Sequence, residues 1–577
     1  MYRGDFMKRK KKVSLLILST IVLTSALAAC SSSNEAPKTV DKQAPVAKEG
    51  ITIVDGKITS PVTITIARGE DPTVKFKNGE TYLSNVHTKW AEEQLGVKIE
   101  TLWSSPMGDN SYDTKLKLML SSGDALPDMF VSTQPNTTNM FVESGKLLDV
   151  SEAFEKYASD TWKAALEEIP EAWYPVTQGD KKYGIPLIKP AIGNPLWIRQ
   201  DWLTNLNLQA PTTLEELEKV MHAFVHDDPD QNGIDDTYAM DIAMLDAFTG
   251  HVMGDSSWIF GLFGAIPEIW YPDENGELQY GSIQPEIKDA LIKIKEWKDK
   301  GYIAEDVALN DFNKIAENVA SNKIGMLSGE DWLMAYPGSL LLASNPQAVY
   351  IPYTLPVGVN GKNMRYVSNP YTGMLLISKD ISEEALQAFF HYQNKLYDTF
   401  NSSDPFMLKG YQEGYDYIIE DGKAITDESR IEGGRIQTMK YTITGVALSY
   451  QSKLWDAKIK RVQGQQLSDS ELAGFATSGV IFDDYEDNPL ERFPDLATMA
   501  SLQQVEADTP NYFQGAATAT MSSRSELLNK MQMDTFTEII YGRQPVEAFD
   551  TFVEKWKSSG GNDMTKEVNE WYKSVSQ

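Results

Sequence analysis

The 577 residues include 82 Asp and Glu against 53 Lys and Arg, a formal net charge of −29. Such a charge disfavours nucleic acid and anionic membrane surfaces as partners. One cysteine leaves no internal disulfide to form, and aromatics at 10%, with 13 Trp, provide more rings than a core alone needs. The length fits two or three domains with a large core.

The chain opens with Lys8-Arg9-Lys10-Lys11-Lys12, an apolar run from Val13 to Leu27, and Leu27-Ala28-Ala29-Cys30. A basic cluster, a short apolar stretch and small residues before a cleavage point are the layout of a secretory signal. The run is shorter than the ~20 residues that a comfortable membrane span takes. Leu-Ala-Ala-Cys resembles the lipobox of bacterial lipoproteins, which implies that Cys30 is lipidated and becomes the new N-terminus. Two acyl chains anchor stably where one does not, and an acylated thiol is no nucleophile. The expected location is the extracellular face of the cell membrane, lipid-anchored. Residues 1–29 hold six basic residues and one acidic one, so cleavage takes the charge from −29 to −34. Ser31 to Gly50, with Pro37 and Pro45, has the composition of a flexible tether.

Strands and helices then alternate. Val62–Ile66 reads as a strand, and Thr81–Leu95 as an amphipathic helix closed by Gly96. Val97–Glu100 is the next strand, Tyr112–Ser122 a helix, and Asp128–Val131 a strand. This βαβαβ order predicts parallel pairing with right-handed crossovers. Near Pro195 a second α/β region begins. Thr212 and Thr213 are alternative helix caps, each with a Glu three residues on. Gln284–Lys300 is a long helix with Gly301 past its end, Met374–Ile377 a strand, and Ser382–Tyr397 a helix. The last third is helix-rich.

Several segments in this order resemble family 1 extracellular solute-binding proteins of ABC importers, and among them the large Gram-positive lipoproteins that take oligosaccharides. They are Leu116-Lys117-Leu118-Met119-Leu120-Ser121-Ser122-Gly123-Asp124 with Leu126-Pro127-Asp128-Met129-Phe130, then Gly145–Val150, Tyr183-Gly184-Ile185-Pro186, Leu196–Leu203, Pro211-Thr212-Thr213 and Lys323-Ile324-Gly325-Met326. The resemblance implies an α/β, two-lobed periplasmic-binding-protein-like fold of class II type, with an interlobe cleft and a helix-rich C-terminal part. It divides the chain into signal (1–29), tether (30–60), lobe 1 (61–190), lobe 2 (191–354), a return to lobe 1 with the hinge (355–450) and a helical part mainly in lobe 2 (451–577). Closure of the lobes on a ligand would be a hinge motion. The implied partners are a carbohydrate ligand and the transmembrane subunits of an ABC permease, served by a monomer.

Asp228-Pro229-Asp230-Gln231-Asn232-Gly233-Ile234-Asp235-Asp236 places Asp or Asn at positions 1, 3 and 5, Gly at 6 and Asp at 9 of an EF-hand-like calcium loop. Asp228, Asp230, Asn232 and Asp236 would offer side-chain oxygens, and Ile234 its carbonyl. Ala239 replaces the bidentate Glu of position 12. The loop is therefore similar to the shortened loop of some oligosaccharide-binding proteins, in which the neighbour of Asp236, here Thr237, completes the shell. A structural Ca²⁺ and no organic cofactor are expected. The plain alternative is a polar turn that ends a helix.

Sugar rings present apolar faces that stack on aromatics and hydroxyl rims that pair with polar side chains. The candidates are Trp103, Trp197, Trp258, Trp270, Trp332 and Tyr371, with Arg199 and Asp331 as polar partners. Each Trp has a core role as its plain alternative. His222 and His226, four apart on a helix, lack the catalytic Glu of a zinc protease motif, and Asp483-Asp484 with Glu486 is a carboxylate cluster of a kind that 82 acidic residues produce by chance. No catalytic residue is assigned. The rival functions are a surface-anchored polysaccharide lyase or hydrolase, and a ligand sensor for a membrane receptor.

Overall fold

A computed structural model describes residues 50–400, 410–446, 448, 451–468, 471 and 489–576. Cys30, the signal, the tether to residue 49 and the Asp483-Asp484-Glu486 cluster lie outside the described residues. No helix among those described is long and apolar enough to cross a membrane.

Two sheets organise two hydrophobic cores. Strands β1 (Val62–Glu70), β2 (Val97–Pro106), β3 (Met129–Ser132) and β4 (Ile185–Ile188) precede the first crossing between lobes. Strands β5 (Leu196–Arg199), β6 (Tyr238–Met240), β7 (Ile324–Ser328) and β8 (Tyr350–Tyr353) follow it. Then come β9 (Arg365–Val367), β10 (Tyr371–Ile377) and β11 (Asp508–Pro510). The first sheet has the order β2-β1-β3-β10-β4, and the second β6-β7-β5-β8. As the alternating pattern predicts, β1 runs parallel to both β2 and β3. The first sheet is nevertheless mixed, because β10 arrives from the crossing and runs antiparallel to β3 and β4.

The first core gathers Ile64, Ile66, Phe130, Ile185, Leu375, Phe389 and Tyr392, so the helix Glu383–Phe400 packs on the sheet that β10 joins. The second holds Leu196, Ile198, Trp202, Phe224, Trp297 and Met326 together with Phe536 and Trp556 from the C-terminal helices. A third, smaller cluster covers the other face of β5 with Trp197, Leu327, Tyr350 and Phe493. Alternate residues of β5 therefore meet different cores, and all four are buried.

Capping residues set where helices begin. The stretch expected as a helix from Thr81 becomes helical only at Val86, because the Asn85 side chain accepts the N–H groups of His87 (3.0 Å) and Thr88 (3.1 Å). The helix ends through one π turn, Ala91–Leu95, at Gly96, whose φ of 69° is left-handed. Of the two possible caps before α1 (Leu214–His226), Thr213 serves: its hydroxyl accepts the Glu216 N–H at 3.2 Å. The Glu216 carboxylate reaches back to the Thr212 N–H at 2.8 Å. Thr213→Ala is expected to cost about 0.5–2 kcal/mol, read from the urea unfolding midpoint.

Candidate functional site: the cleft beside the hinge

Residues 189–195 run from β4 to β5, from one sheet to the other. Their backbone is fastened by hydrogen bonds to three segments far away in sequence. The Lys189 N–H donates to Pro370 O (3.0 Å), just before β10. The Ala191 N–H donates to Gln451 Oε1 (3.1 Å), at the start of α2 (Gln451–Val462). The Gly193 N–H donates to Asp508 Oδ2 (3.1 Å), at the start of β11. Asp508 pairs with Arg365 of β9, and Arg365 Nη2 also donates to Ser501 O (2.7 Å). A Cβ at Gly193 would stand 2.2 Å from Arg365 Nε, so only glycine lets the strap cross this pair. Burial pushes the Asp508 carboxyl up and Arg365 beside it pulls it down, with a net rise.

Two adjoining cavities open on this strap, of about 370 Å³ and about 130 Å³. Lys189, Ile192, Asn194, Glu330 and Ser368 line both. The larger adds Asp331, Trp455, Lys458 and Thr498. Lys458, buried, donates to Asp331 Oδ2 (3.0 Å) and Thr498 Oγ1 (2.9 Å). Half-buried Trp455 lies three residues before it on α2, so ring and ammonium share a helix face. The smaller cavity adds His251, Trp258, Arg365 and Tyr366. Asp255 shapes it by accepting the N–H groups of His251 (2.9 Å) and Ser257 (2.8 Å), and burial pushes its carboxyl up. Burial likewise takes the Tyr366 hydroxyl up to about 12. Glu330 sits where the cavities meet, and its carboxyl has no hydrogen-bond partner among the described residues. Burial raises its pKa first and the Asp331 charge adds to the rise, while Lys189 opposes both. The arrangement provides donors, acceptors and a ring edge around one space.

Of the sequence candidates, the cavities bring together Trp258 and Asp331. Trp258 is nearly all buried, 2% exposed. Trp332, half-buried, packs 6.3 Å from Phe312 in the small third cluster. Tyr371 opens β10 with its hydroxyl accepting from Asn369 Nδ2 (3.2 Å). Trp103 on β2 lies 5.5 Å from Tyr112 with the Lys115 ammonium 4.4 Å over its ring.

Three candidates need correcting. Trp197 has no exposed surface, and its indole N–H donates to Gly329 O at 2.9 Å. Arg199 is as deeply buried: Nε and Nη2 hold the two Asp201 oxygens (2.8 and 2.6 Å), Nη1 holds Asn322 Oδ1 (2.8 Å), and the guanidinium covers Trp202. Both belong to β5, which is covered on both faces. Trp270 is 3% exposed and packs 5.0 Å from Tyr280. A sugar finds no free face on any of the three.

The acidic loop curls on itself through left-handed residues at Asp228, Gln231 and Gly233. Asp228 Oδ1 and Oδ2 accept the N–H groups of Asn232 and Gly233, both at 3.1 Å, and Asn232 Oδ1 accepts that of Ile234. Asn232 Nδ2 reaches Asp230 Oδ2 (2.9 Å) and Asp236 Oδ1 (3.5 Å). Burial raises the Asp230 carboxyl and the charges of Asp228 and Asp236 raise it further, while its Oδ1 is buried without a partner. This gathering of carboxylates fits the donor chemistry of a hard cation. Among the described residues, however, no three His, Cys, Asp or Glu side chains converge as a metal set. Thr237 does not join the loop: its buried hydroxyl donates to Phe224 O at 2.7 Å. The rings of His222 and His226 lie 4.5 Å apart, and Tyr302 is hydrogen-bonded to His222 Nδ1 (3.2 Å).

The model of the bacterial extracellular solute-binding protein family matches residues 75–394, more than half of the chain. The chain belongs to this family. It is 24% identical over 491 residues to the lipoprotein LipO of Bacillus subtilis, covering 84% of this chain and 88% of that one. A fructooligosaccharide ABC transporter substrate-binding protein of Streptococcus pneumoniae, FusA, is 25% identical over 326 residues, 53% of this chain and 56% of its own. A structure of an EF-hand mutant of FusA in complex with fructo-nystose superposes with a TM-score of 0.54 at 17% identity, over 89% of this chain and 99% of that one. The HMO-binding, ABC-transporter-associated solute-binding protein of Bifidobacterium longum infantis gives a TM-score of 0.63 at 19% identity, over 90% of this chain and all of that one. The two-lobed α/β architecture expected from the sequence is therefore that of the family.

The strap, with the Arg365–Asp508 latch across it, borders both cavities. Sequence reasoning missed Glu330, Trp455 and Lys458 there. The spacing Trp455-x-x-Lys458 on an amphipathic helix was the available signal for the last two.

Proposed function

We propose that this chain is the substrate-binding protein of an ABC importer, that it is tethered outside the cell membrane through lipid on Cys30, and that it captures an oligosaccharide by closing its lobes over the cleft. The observation that carries this reading is the cavity of about 370 Å³ on the hinge strap, where Trp455 stands beside the Lys458, Asp331 and Thr498 network. A ring edge and fixed polar groups around one space suit sugar faces and hydroxyls. The names of the FusA and Bifidobacterium relatives support a carbohydrate, and that of LipO supports the anchor. Relatives named for binding support a binder rather than a lyase or hydrolase. The bound sugar would pass to the permease subunits, with the protein acting as a monomer.

We further propose a structural Ca²⁺ held by side-chain oxygens of Asp228, Asp230, Asn232 and Asp236 and the carbonyl of Ile234. The ion would neutralise carboxylates that now oppose one another. A thermal-shift screen against oligosaccharides, with and without EDTA, tests both claims. A ligand at 100 times its Kd adds about 2.7 kcal/mol to stability, so binding must raise the Tm. EDTA is expected to lower the Tm, and Ca²⁺ to restore it. No shift with any sugar contradicts the binding claim, and no EDTA effect contradicts the calcium claim.

A further inference from the structure

A third cavity, of about 250 Å³, lies on the first lobe, lined by Thr73, Lys75, Glu428, Arg435, Gln437 and Lys440 among others. Strand register places it. Tyr371 pairs with Ile188, so the end of β4 and the start of β10 mark the hinge edge of the sheet. Met374 pairs with Ser132, which puts the end of β3 on that edge, and β1 runs parallel to β3. The loop that leaves β1 at Asp71 and carries Thr73 and Lys75 therefore rises from the cleft side of the lobe. It stands three strand spacings from β4, about 14 Å along the rim.

The lining opposes three cations to one carboxylate, in a chain of net charge −29. The cations are firmly mounted. Arg68, buried, donates to the carbonyls of Lys440 (3.3 Å), Tyr441 (3.1 Å) and Thr442 (2.8 Å), and the Tyr441 hydroxyl donates to Lys75 O. Lys440 Nζ is held by Thr73 Oγ1 (2.6 Å) and Asp71 Oδ2 (3.1 Å). Arg435 spends only Nε, on Asp416 O (3.0 Å). Among the described residues neither its two Nη groups nor the Lys75 ammonium has a hydrogen-bond partner. A half-buried guanidinium fork whose two outer nitrogens make no hydrogen bond among the described residues, in one recess with the Lys75 ammonium and facing the charges of Asp416 and Glu428, matches a planar carboxylate that accepts two parallel N–H bonds.

We propose that this recess is a subsite for the carboxylate of an acidic sugar, so that the ligand spanning the cleft is an oligosaccharide bearing uronic acid units. This rests on the carbohydrate reading above. It adds that the charge of the ligand is read at the rim of the first lobe, away from the hinge.

Calorimetric titration of the full chain with trigalacturonate and with its carboxyl-reduced, neutral counterpart tests the proposal. The acidic trimer is expected to bind at least about tenfold more tightly, with the difference shrinking as salt rises. Lys75→Gln/Arg435→Gln is expected to abolish that difference and keep the affinity for the neutral trimer. Should the loss of Arg435 disturb folding, Lys75→Gln alone, at an exposed side chain, is expected to cut the preference severalfold. Equal affinities, a tighter neutral trimer, or a preference that survives both substitutions would overturn the subsite and leave carbohydrate binding standing. Binding of neither trimer would count against both.

Discussion

Replacing Arg365 by Met is expected to lower the unfolding free energy by about 3–5 kcal/mol, because it leaves the Asp508 carboxylate buried without its counter-charge. The variant also loses the bond to Ser501 O, and Asp508 then accepts only from Gly193 at the strap. The pH dependence has a definite sign. Burial already holds the folded-state pKa of Asp508 above its ordinary value, and Arg365 is what draws it down. Without Arg365 the folded carboxyl takes up its proton at higher pH, while the unfolded one titrates near 4. The destabilisation should thus be smallest near pH 4 and grow as pH rises through the raised folded pKa. Urea unfolding at several pH values measures it. Arg365→Met/Asp508→Leu should recover part of the loss, since a buried pair replaced by apolar groups loses its unpaired charge.

The second large effect separates two tryptophans. Trp197→Ala empties a site with no exposed surface and frees the Gly329 carbonyl of its donor, so a cost of about 3–5 kcal/mol is expected. Trp455→Ala removes a half-buried ring at the cavity and should leave the unfolding midpoint within about 1 kcal/mol of the parent. For ligand affinity the order reverses: Trp455→Ala should lose about tenfold or more, whereas Trp197→Ala, where still folded, should keep its affinity. Unfolding curves and titrations of both variants check the pair.

These contrasts also show how far the residue pattern reaches. Alternation in Val62–Ile66, the helix–Gly123–strand passage and the Thr213 cap are local signals, and each emerges as an element within a few residues of its expected bounds. Trp197 and Arg199 have the residue types that a sugar site uses. Nothing in a four-residue strand tells that β7 and β8 flank it and that cores cover both its faces. Thr237 follows the acidic loop in sequence, but its hydroxyl satisfies a helix carbonyl instead. The hinge latch joins Gly193, Arg365 and Asp508, and the rim recess joins Thr73 to Lys440 across 367 positions. Such sites arise only when the chain returns to a lobe it has left, and no spacing rule describes that.

The central claim is that an oligosaccharide in the hinge cleft draws the two lobes together. Small-angle X-ray scattering of the chain, titrated with the oligosaccharide that gives the largest thermal shift, measures it most directly. The radius of gyration should fall saturably with ligand, and the same titration of Trp455→Ala should need at least about tenfold more ligand for the same fall. Saturable binding with an unchanged radius, or a response that Trp455→Ala leaves intact, would contradict capture by closure at this cleft.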